Sequence, residues 1–255
     1  MDFDSDFLSR SGLVVEAGLG ILHRPTPSEP FAVVYKPGGL PSAPLSEGDD
    51  SALTRVVGLF PEASSVVGRK GVERGLVHRI DTGTSGLVLV ATDQAFFDCL
   101  QDAQSKGLFR KWYRAGVAPV GSLVETLGGF PPCPAVPSVG SEFSVESSFR
   151  PFGPKGGQVR PVSAFSGRAA LRKGGGRLYS TSIKLVSESE AVCSITSGYR
   201  HQVRCHLAWC GIPVGNDPLY NPAFKERIPA GEDTARRPFD FCAFRIEFPG
   251  FSFEF

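Results

Sequence analysis

A chain of 255 residues, 41% hydrophobic and 21% charged, has the composition of a globular protein large enough for one sizeable core or two small ones. Its formal net charge of +1 argues neither for nor against a polyanionic partner, and no apolar run approaches the ~20 residues that a membrane-spanning helix needs. The six cysteines form no Cys-x-x-Cys pair, and Asp2, Asp4 and Asp6 give the N-terminus the wrong charge for a signal or transit peptide, so a reduced, intracellular, soluble protein is expected. The cytoplasm fits best, with nucleus and organelle left open.

In chain order, residues 1 to about 30 carry several prolines and weak periodicity, which reads as a leader packed on the surface of a domain spanning 31–255. Phe31–Lys36 is a short apolar run cut off by Pro37-Gly38-Gly39, a strand entering a turn. Leu87–Ala91 reads as a buried strand. Residues 94–106 place Phe97, Leu100 and Ala103 at near-helical spacing, and Gly107 stops the helix. Lys111–Val117 is strand-like, with Trp112 and Tyr113 on opposite faces.

Residues 128–176 are dense in Pro, Gly and Ser and read as a long irregular excursion, apart from a strand near 143–149. Segments 178–186 and 191–196 suggest a hairpin. Residues 200–210 read as a short amphipathic helix, with Val203, Leu207 and Cys210 on one face, Arg200 and Arg204 on the other, and Gly211 as its stop. Cys242, Phe244, Ile246 and Phe248 alternate with Ala243, Arg245 and Glu247, a half-buried strand. Strands interspersed with few helices point to an α+β fold around a mostly antiparallel or mixed sheet.

Charge is unevenly spread. No acid lies between Glu146 and Glu188, yet that stretch holds Arg150, Lys155, Arg160, Arg168, Arg172, Lys173, Arg177 and Lys184. A second acid-free run, 103–124, carries Lys106, Arg110, Lys111 and Arg114. Such stripes fit the footprint of a polyanion and a solvated surface about equally well. Cys205 and Cys210 lie near His201 and His206, but no second short-spaced ligand pair accompanies them, so no metal site is expected. Gly174-Gly175-Gly176 lacks the Lys-Ser/Thr of a phosphate loop.

The densest chemical signal is His78-Arg79-Ile80-Asp81-Thr82-Gly83-Thr84-Ser85-Gly86. A carboxylate held in a tight loop before a buried strand suits catalysis, and equally suits a turn in which Asp81 caps nearby N–H groups. Asp81-Thr82-Gly83-Thr84 is also the local signature of an aspartic protease. That chemistry needs two such carboxylates sharing a proton, and the chain has only one, so only a dimer would supply it.

Taken together, Tyr35-Lys36-Pro37-Gly38, the 78–86 loop, Lys111-Trp112-Tyr113, Gly198-Tyr199-Arg200-His201-Gln202-Val203-Arg204 and Asn216-Asp217-Pro218-Leu219-Tyr220 resemble the RluA-like RNA pseudouridine synthases. They occur in that family's order and span about residues 31 to 250. The resemblance implies a pseudouridine synthase fold, a curved mixed sheet flanked by helices with an active-site cleft across its middle. It implies isomerisation of uridine in a structured RNA (transfer, ribosomal or other) by a monomer without a cofactor.

By the same resemblance, Asp81 starts glycosidic cleavage, either by attacking the nucleoside or by abstracting a sugar proton. Arg204 would be its ion-pair partner, offsetting the cost of burying a carboxylate. Tyr113 would stack on the flipped uracil and assist proton removal from C5, while Trp112 fits a core strand aromatic better. Arg79 would fill the gap that the extruded nucleotide leaves. His78, His201 and Gln202 contact RNA or brace the loops, bracing being favoured for the histidines. Arg200 suits a phosphate contact, and Lys36 is a phosphate ligand or an exposed structural lysine.

Two positions depart from the family pattern. Tyr199 stands where an arginine is usual, and Cys242-Ala243 where a histidine is usual near the final strand; both bear on how RNA is gripped. Too little sequence precedes Phe31 for the extra RNA-binding domain of some relatives, so substrate choice is expected to fall to the basic 146–188 stretch or to a partner. A non-catalytic RNA-binding or RNA-folding protein on the same fold is the competing class. The joint presence of Asp81, Tyr113 and Arg204 argues against it.

Overall fold

The computed structural model describes residues 12–118, 127–134, 137–174, 176–225 and 239–255. In chain order the strands are β1 (Val14–Glu16), β2 (Leu19–His23), β3 (Phe31–Lys36), β4 (Ser85–Ala91), β5 (Arg110–Gly116), β6 (Glu142–Phe152), β7 (Gln158–Val162), β8 (Tyr179–Ser187), β9 (Glu190–Ile195), β10 (Phe241–Phe248) and β11 (Phe251–Glu254). The helices are α1 (Ala52–Leu59), α2 (Gln94–Ser105), α3 (Arg168–Lys173), α4 (Gln202–Trp209) and α5 (Pro222–Lys225). This is an α+β chain. Its described residues divide into two compact units, 12–110 with 242–255, and 111–225 with 239–241. None of the described helices is long and apolar enough to cross a membrane.

In the first unit β1 to β4 pair antiparallel in sequence order, and β10 joins β4 in parallel through Cys242↔Ser85 and Ala243↔Gly86. All six residues of β3 are buried, because β2 and β4 cover both of its edges and its two faces pack inward. The core gathers Phe31, Tyr35, Leu87, Leu89, Phe97, Leu100, Phe109 and Ile246. Phe31 stacks on Phe96 at 5.0 Å and meets Phe248 edge-on at 5.5 Å. Helix α2 begins where the Asp93 carboxylate accepts the Phe96 N–H at 2.9 Å, and Phe97, Leu100 and Ala103 form its buried face.

The second unit is an antiparallel sheet in the order β5-β9-β8-β6-β7. Strands β8 and β9 form the hairpin read from the sequence, with an irregular register between Leu185 and Ser187. Helix α4 packs against β7 and β8.

Three expectations change. The stretch before Phe31 is not merely a surface leader over its described part: a turn with Gly18 at φ +70° joins β1 to β2, and β2 buries Leu19 and Ile21 as it extends the sheet. The 128–176 excursion is ordered over much of its length, with β6, β7 and α3 in it. The strand expected near 143–149 is part of β6; Pro151 and Pro161 disguised its extension to Phe152 and the whole of β7. Pro161 sits on the edge strand β7, and Pro151 lies beyond the part of β6 that pairs with β8, so neither proline interrupts the β6–β8 ladder. Finally, α4 is buried on every side, including Arg204, where an amphipathic helix was expected.

Candidate active site

Asp81 lies in the loop that feeds β4, half-buried, and the residues on either side of it are held by the segment 36–42. The Ser42 hydroxyl donates to the Ile80 carbonyl at 2.7 Å and accepts the Ile80 N–H at 3.1 Å. The Thr82 carbonyl accepts the Gly39 N–H at 2.8 Å and the Lys36 ammonium at 3.1 Å. A turn bond from Thr84 N–H to the Asp81 carbonyl, 3.0 Å, completes the frame. Backbone on both sides of Asp81 is therefore tied to a second segment, which confines the carboxylate as a reacting group requires.

Lys36 corrects one expectation. It is fully buried, and its ammonium donates to the carbonyls of Pro37 (2.9 Å), Leu40 (2.6 Å) and Thr82 (3.1 Å). An ammonium has three hydrogens to donate, and these carbonyls surround it. Lys36 is thus a buried brace of the Asp81 loop rather than an exposed lysine. Just beyond the loop, Gly86 adopts φ +122°, and a Cβ there would lie 2.3 Å from the Ala243 carbonyl oxygen. Only glycine lets β4 and β10 approach this closely.

His78 is 7% exposed and packs its ring on Phe109 at 5.3 Å, a bracing position. Arg79 is exposed, and its guanidinium pairs with Glu73 at 3.0 Å. It is the one group of this loop that the fold leaves reaching into solvent while its neighbours His78 and Ile80 are buried.

Tyr113 and Arg204 belong to the other unit. Tyr113 is 6% exposed and stacks on Phe241 at 5.0 Å with an interplanar angle of 12°. Trp112 is the less buried of the two, contrary to its expected place in the core. The reason is the register of β5, where Lys111, Tyr113 and Ala115 share the covered face.

Arg204 is 2% exposed. Its Nε and Nη2 donate to Oδ2 and Oδ1 of Asp217 at 2.7 and 2.9 Å, a bidentate fork. Asp217 is fully buried, and its Oδ1 also accepts the N–H groups of Leu219 and Tyr220 at 2.8 and 3.2 Å. Phe239 and Tyr220 flank the guanidinium, with ring centroids at 4.3 and 5.3 Å. Asp217 is a partner that sequence reasoning missed. It stood inside the 216–220 motif, but nothing in the local pattern says that its carboxylate turns back onto a residue thirteen positions earlier.

The remaining residues of the 198–204 motif make contacts within the second unit. Gln202, expected as an RNA contact, is 2% exposed; it accepts the Tyr199 N–H at 2.9 Å and donates to the Ser180 carbonyl at 3.0 Å. His201 takes a left-handed conformation, φ +57°, with Nδ1 3.1 Å from the Tyr220 hydroxyl. The Tyr220 hydroxyl accepts the Val159 N–H at 3.0 Å, and burial pushes its pKa up. Arg200 is exposed and donates to the carbonyls of Gly156 and Gln158, tethering the β6–β7 connection. Tyr199, the departure from the family pattern, stacks on Phe149 at 4.9 Å.

Arg160 leaves the basic stripe altogether. It is 1% exposed, donates to the carbonyls of Leu127, Gly128 and Val159, and lies 4.1 Å from the Phe152 ring and 4.4 Å from that of Phe130. Burial lowers its pKa, yet a guanidinium stays charged.

The model for the RNA pseudouridylate synthases matches residues 30–209. The chain belongs to that family. It is RluA-like: a ribosomal large subunit pseudouridine synthase D of Zymomonas mobilis is 31% identical over 199 residues, covering 77% of this chain and 55% of that protein. The enzyme of the same name in Neisseria meningitidis serogroup B is 27% identical over 209 residues, 78% of this chain and 45% of its own. The tRNA pseudouridine(31) synthase of Saccharomyces cerevisiae is 24% identical over 204 residues, 75% and 44%. This family member therefore spans about half the length of the curated relatives it matches. Among solved structures, human RNA pseudouridylate synthase domain containing 1 shares the fold, with a TM-score of 0.61 at 18% identity over 93% of this chain and 82% of the human one.

Proposed function

We propose that the chain isomerises uridine in a structured RNA to pseudouridine, with Asp81, Tyr113 and Arg204 as its catalytic groups. The reaction breaks the N1–C1′ bond, forms C5–C1′, and moves one proton from C5 to N1, so it consumes neither cofactor nor metal. The observation that carries the reading is the double tether around Asp81, within a stretch that the family model matches. A carboxylate that attacks a sugar or abstracts its proton must be ionised and held still. The loop supplies the second condition, and Arg204 is proposed to supply the first. An arginine within ~4–6 Å typically lowers a carboxylate pKa by about 1–3 units.

Tyr113 is proposed to stack on the extruded uracil and to assist loss of the C5 proton. Arg79, the exposed cation beside this loop, is proposed to occupy the space that the flipped nucleotide vacates. Relatives named for the large ribosomal subunit and for tRNA support an RNA substrate of either kind. The chain is proposed to act as a monomer inside the cell.

Release of tritium from RNA carrying 5-tritiated uridine tests the reading, because the C5 hydrogen leaves during isomerisation. Release from cellular RNA that Asp81→Asn abolishes is the expected result. RNA binding with release no greater than that of Asp81→Asn, across total RNA pools, would instead make the chain a non-catalytic binder.

A further inference from the structure

Helix α3 and the chain on either side of it form a surface that the proposed chemistry does not use. Arg168, Arg172, Lys173 and Arg177 are exposed there, and among the described residues none of them forms an ion pair with an acid. Among these cations stand apolar groups that a soluble surface would normally cover: Phe165 is 80% exposed, Leu178 57% and Leu171 47%. Arg177 lies over the Tyr179 ring at 5.2 Å. Beside them a cavity of about 410 Å³ opens, walled by Leu171, Leu178, Ala164, Ser148, Ser163 and the carboxylate-bearing Glu146.

This combination selects among partners. Cations interleaved with exposed aromatic and aliphatic groups suit a strand that is anionic outside and flat and apolar inside, as single-stranded nucleic acid is. Glu146 on the cavity wall would repel a phosphate, whereas a base edge offers N–H donors to it. A fully paired helix hides its bases, so its shape would leave Phe165 and the cavity unused.

We propose that the α3 surface is a second RNA site, which seats one unpaired nucleobase in the cavity, stacks a neighbour on Phe165, and holds the intervening phosphates on Arg168, Arg172 and Lys173. The proposal rests on the reading that the chain acts on RNA, and it assigns to this surface the choice of substrate by an unpaired segment flanking the target.

The test uses the full chain and a fluorescein-labelled 12-nucleotide oligouridylate, with binding read by anisotropy over a range of salt. Phe165→Ala should weaken binding roughly 5- to 150-fold, the span of one lost base stack. The triple change Arg168→Gln, Arg172→Gln and Lys173→Gln should flatten the slope of log affinity against log salt by about 2, at ~0.7 per phosphate contact on a single strand. Photocrosslinking of the unaltered chain to 4-thiouridine RNA should label the peptide 164–179, a readout that does not depend on any variant folding.

Unchanged affinity and slope in both variants, or crosslinks confined to other peptides, would overturn the proposal. So would variants that lose binding to phosphatidylserine vesicles while keeping oligouridylate affinity, since the surface would then serve a membrane. Tritium release is measured separately. If the parent isomerises no RNA yet binds oligouridylate through this surface, the catalytic reading fails and the second site stands; if it isomerises RNA and the variants bind normally, the reverse holds.

Discussion

At the residue scale, the fold places charges where water is scarce, and the supports of those charges are as exposed to mutation as the charges themselves. The Arg204–Asp217 fork is the clearest case, since both side chains are buried. Removing one partner of a buried pair leaves the other uncompensated, at a cost of about 3–5 kcal/mol. Asp217→Ala should therefore destabilise the chain by about that amount in urea unfolding. A loss below about 0.5 kcal/mol, the ceiling for most surface changes, would show that the fork carries little of the stability of the second unit.

Lys36→Met is expected to cost about 1–3 kcal/mol, because the carbonyls of Pro37, Leu40 and Thr82 lose a buried donor. Its activity should fall through kcat more than KM, since Lys36 holds the Asp81 loop rather than the RNA. The candidate residues were readable in the sequence, since Asp81, Tyr113 and Arg204 all stood in recognisable motifs. The supports were not. Ser42 is an ordinary serine in a Pro/Ser-rich turn, and its importance exists only once Ile80 lies opposite it.

His206 adds a pH dependence that is independent of catalysis. It is fully buried between the hydroxyls of Ser147 (2.9 Å) and Thr181 (2.8 Å), and burial pushes its pKa down to about 3. An unfolded histidine titrates near 6.5. Between those values the unfolded state binds the proton and the folded state does not, so stability must fall as pH is lowered from about 6.5 toward 3. The slope contributed by one such group approaches 1.4 kcal/mol per pH unit. Urea unfolding from pH 7 to pH 4.5 checks this, and His206→Gln should flatten the profile. A parent and variant with parallel profiles would contradict the assignment.

At the scale of elements, the hairpin β8–β9, the strand β3 and the helix α2 were legible because local pattern and tertiary burial agree there. The strand expected near 143–149 is the body of β6, but its extension to Phe152 and the whole of β7 were hidden by prolines, which only an edge or an unpaired stretch tolerates, and neighbours decide which strand is an edge. Helix α4 misled in the opposite direction: Arg204 suggested a polar face, but a buried carboxylate makes that face part of the interior. Gly86 links an element to the site. Gly86→Ala would drive a methyl group into the Ala243 backbone, push β10 away from β4 and disturb the loop that ends at Ser85. A destabilisation of about 1–3 kcal/mol or more is expected by chemical denaturation, with activity lost at temperatures where the chain remains folded.

At the scale of the whole molecule, the α+β class followed from the order of elements, but the pairing of distant segments did not. Strand β10 joins β4 in parallel although more than 150 residues separate Gly86 from Ala243, and no local signal encodes such a partner. The same holds for the functional groups. Asp81 lies in one unit and Tyr113 and Arg204 in the other, and no motif taken singly encodes the joint role proposed for them.

The central claim is that the Asp81 carboxylate begins the reaction, and it is tested most directly by tritium release from 5-tritiated uridine RNA with Asp81→Asn, whose side chain keeps the size of the original. Release at least about 100-fold below the parent is expected, the lower end of what a positioned carboxylate contributes, with the melting temperature unchanged. Release within about tenfold of the parent from a folded, RNA-bound variant would contradict it, because such a small loss leaves the chemistry to another group.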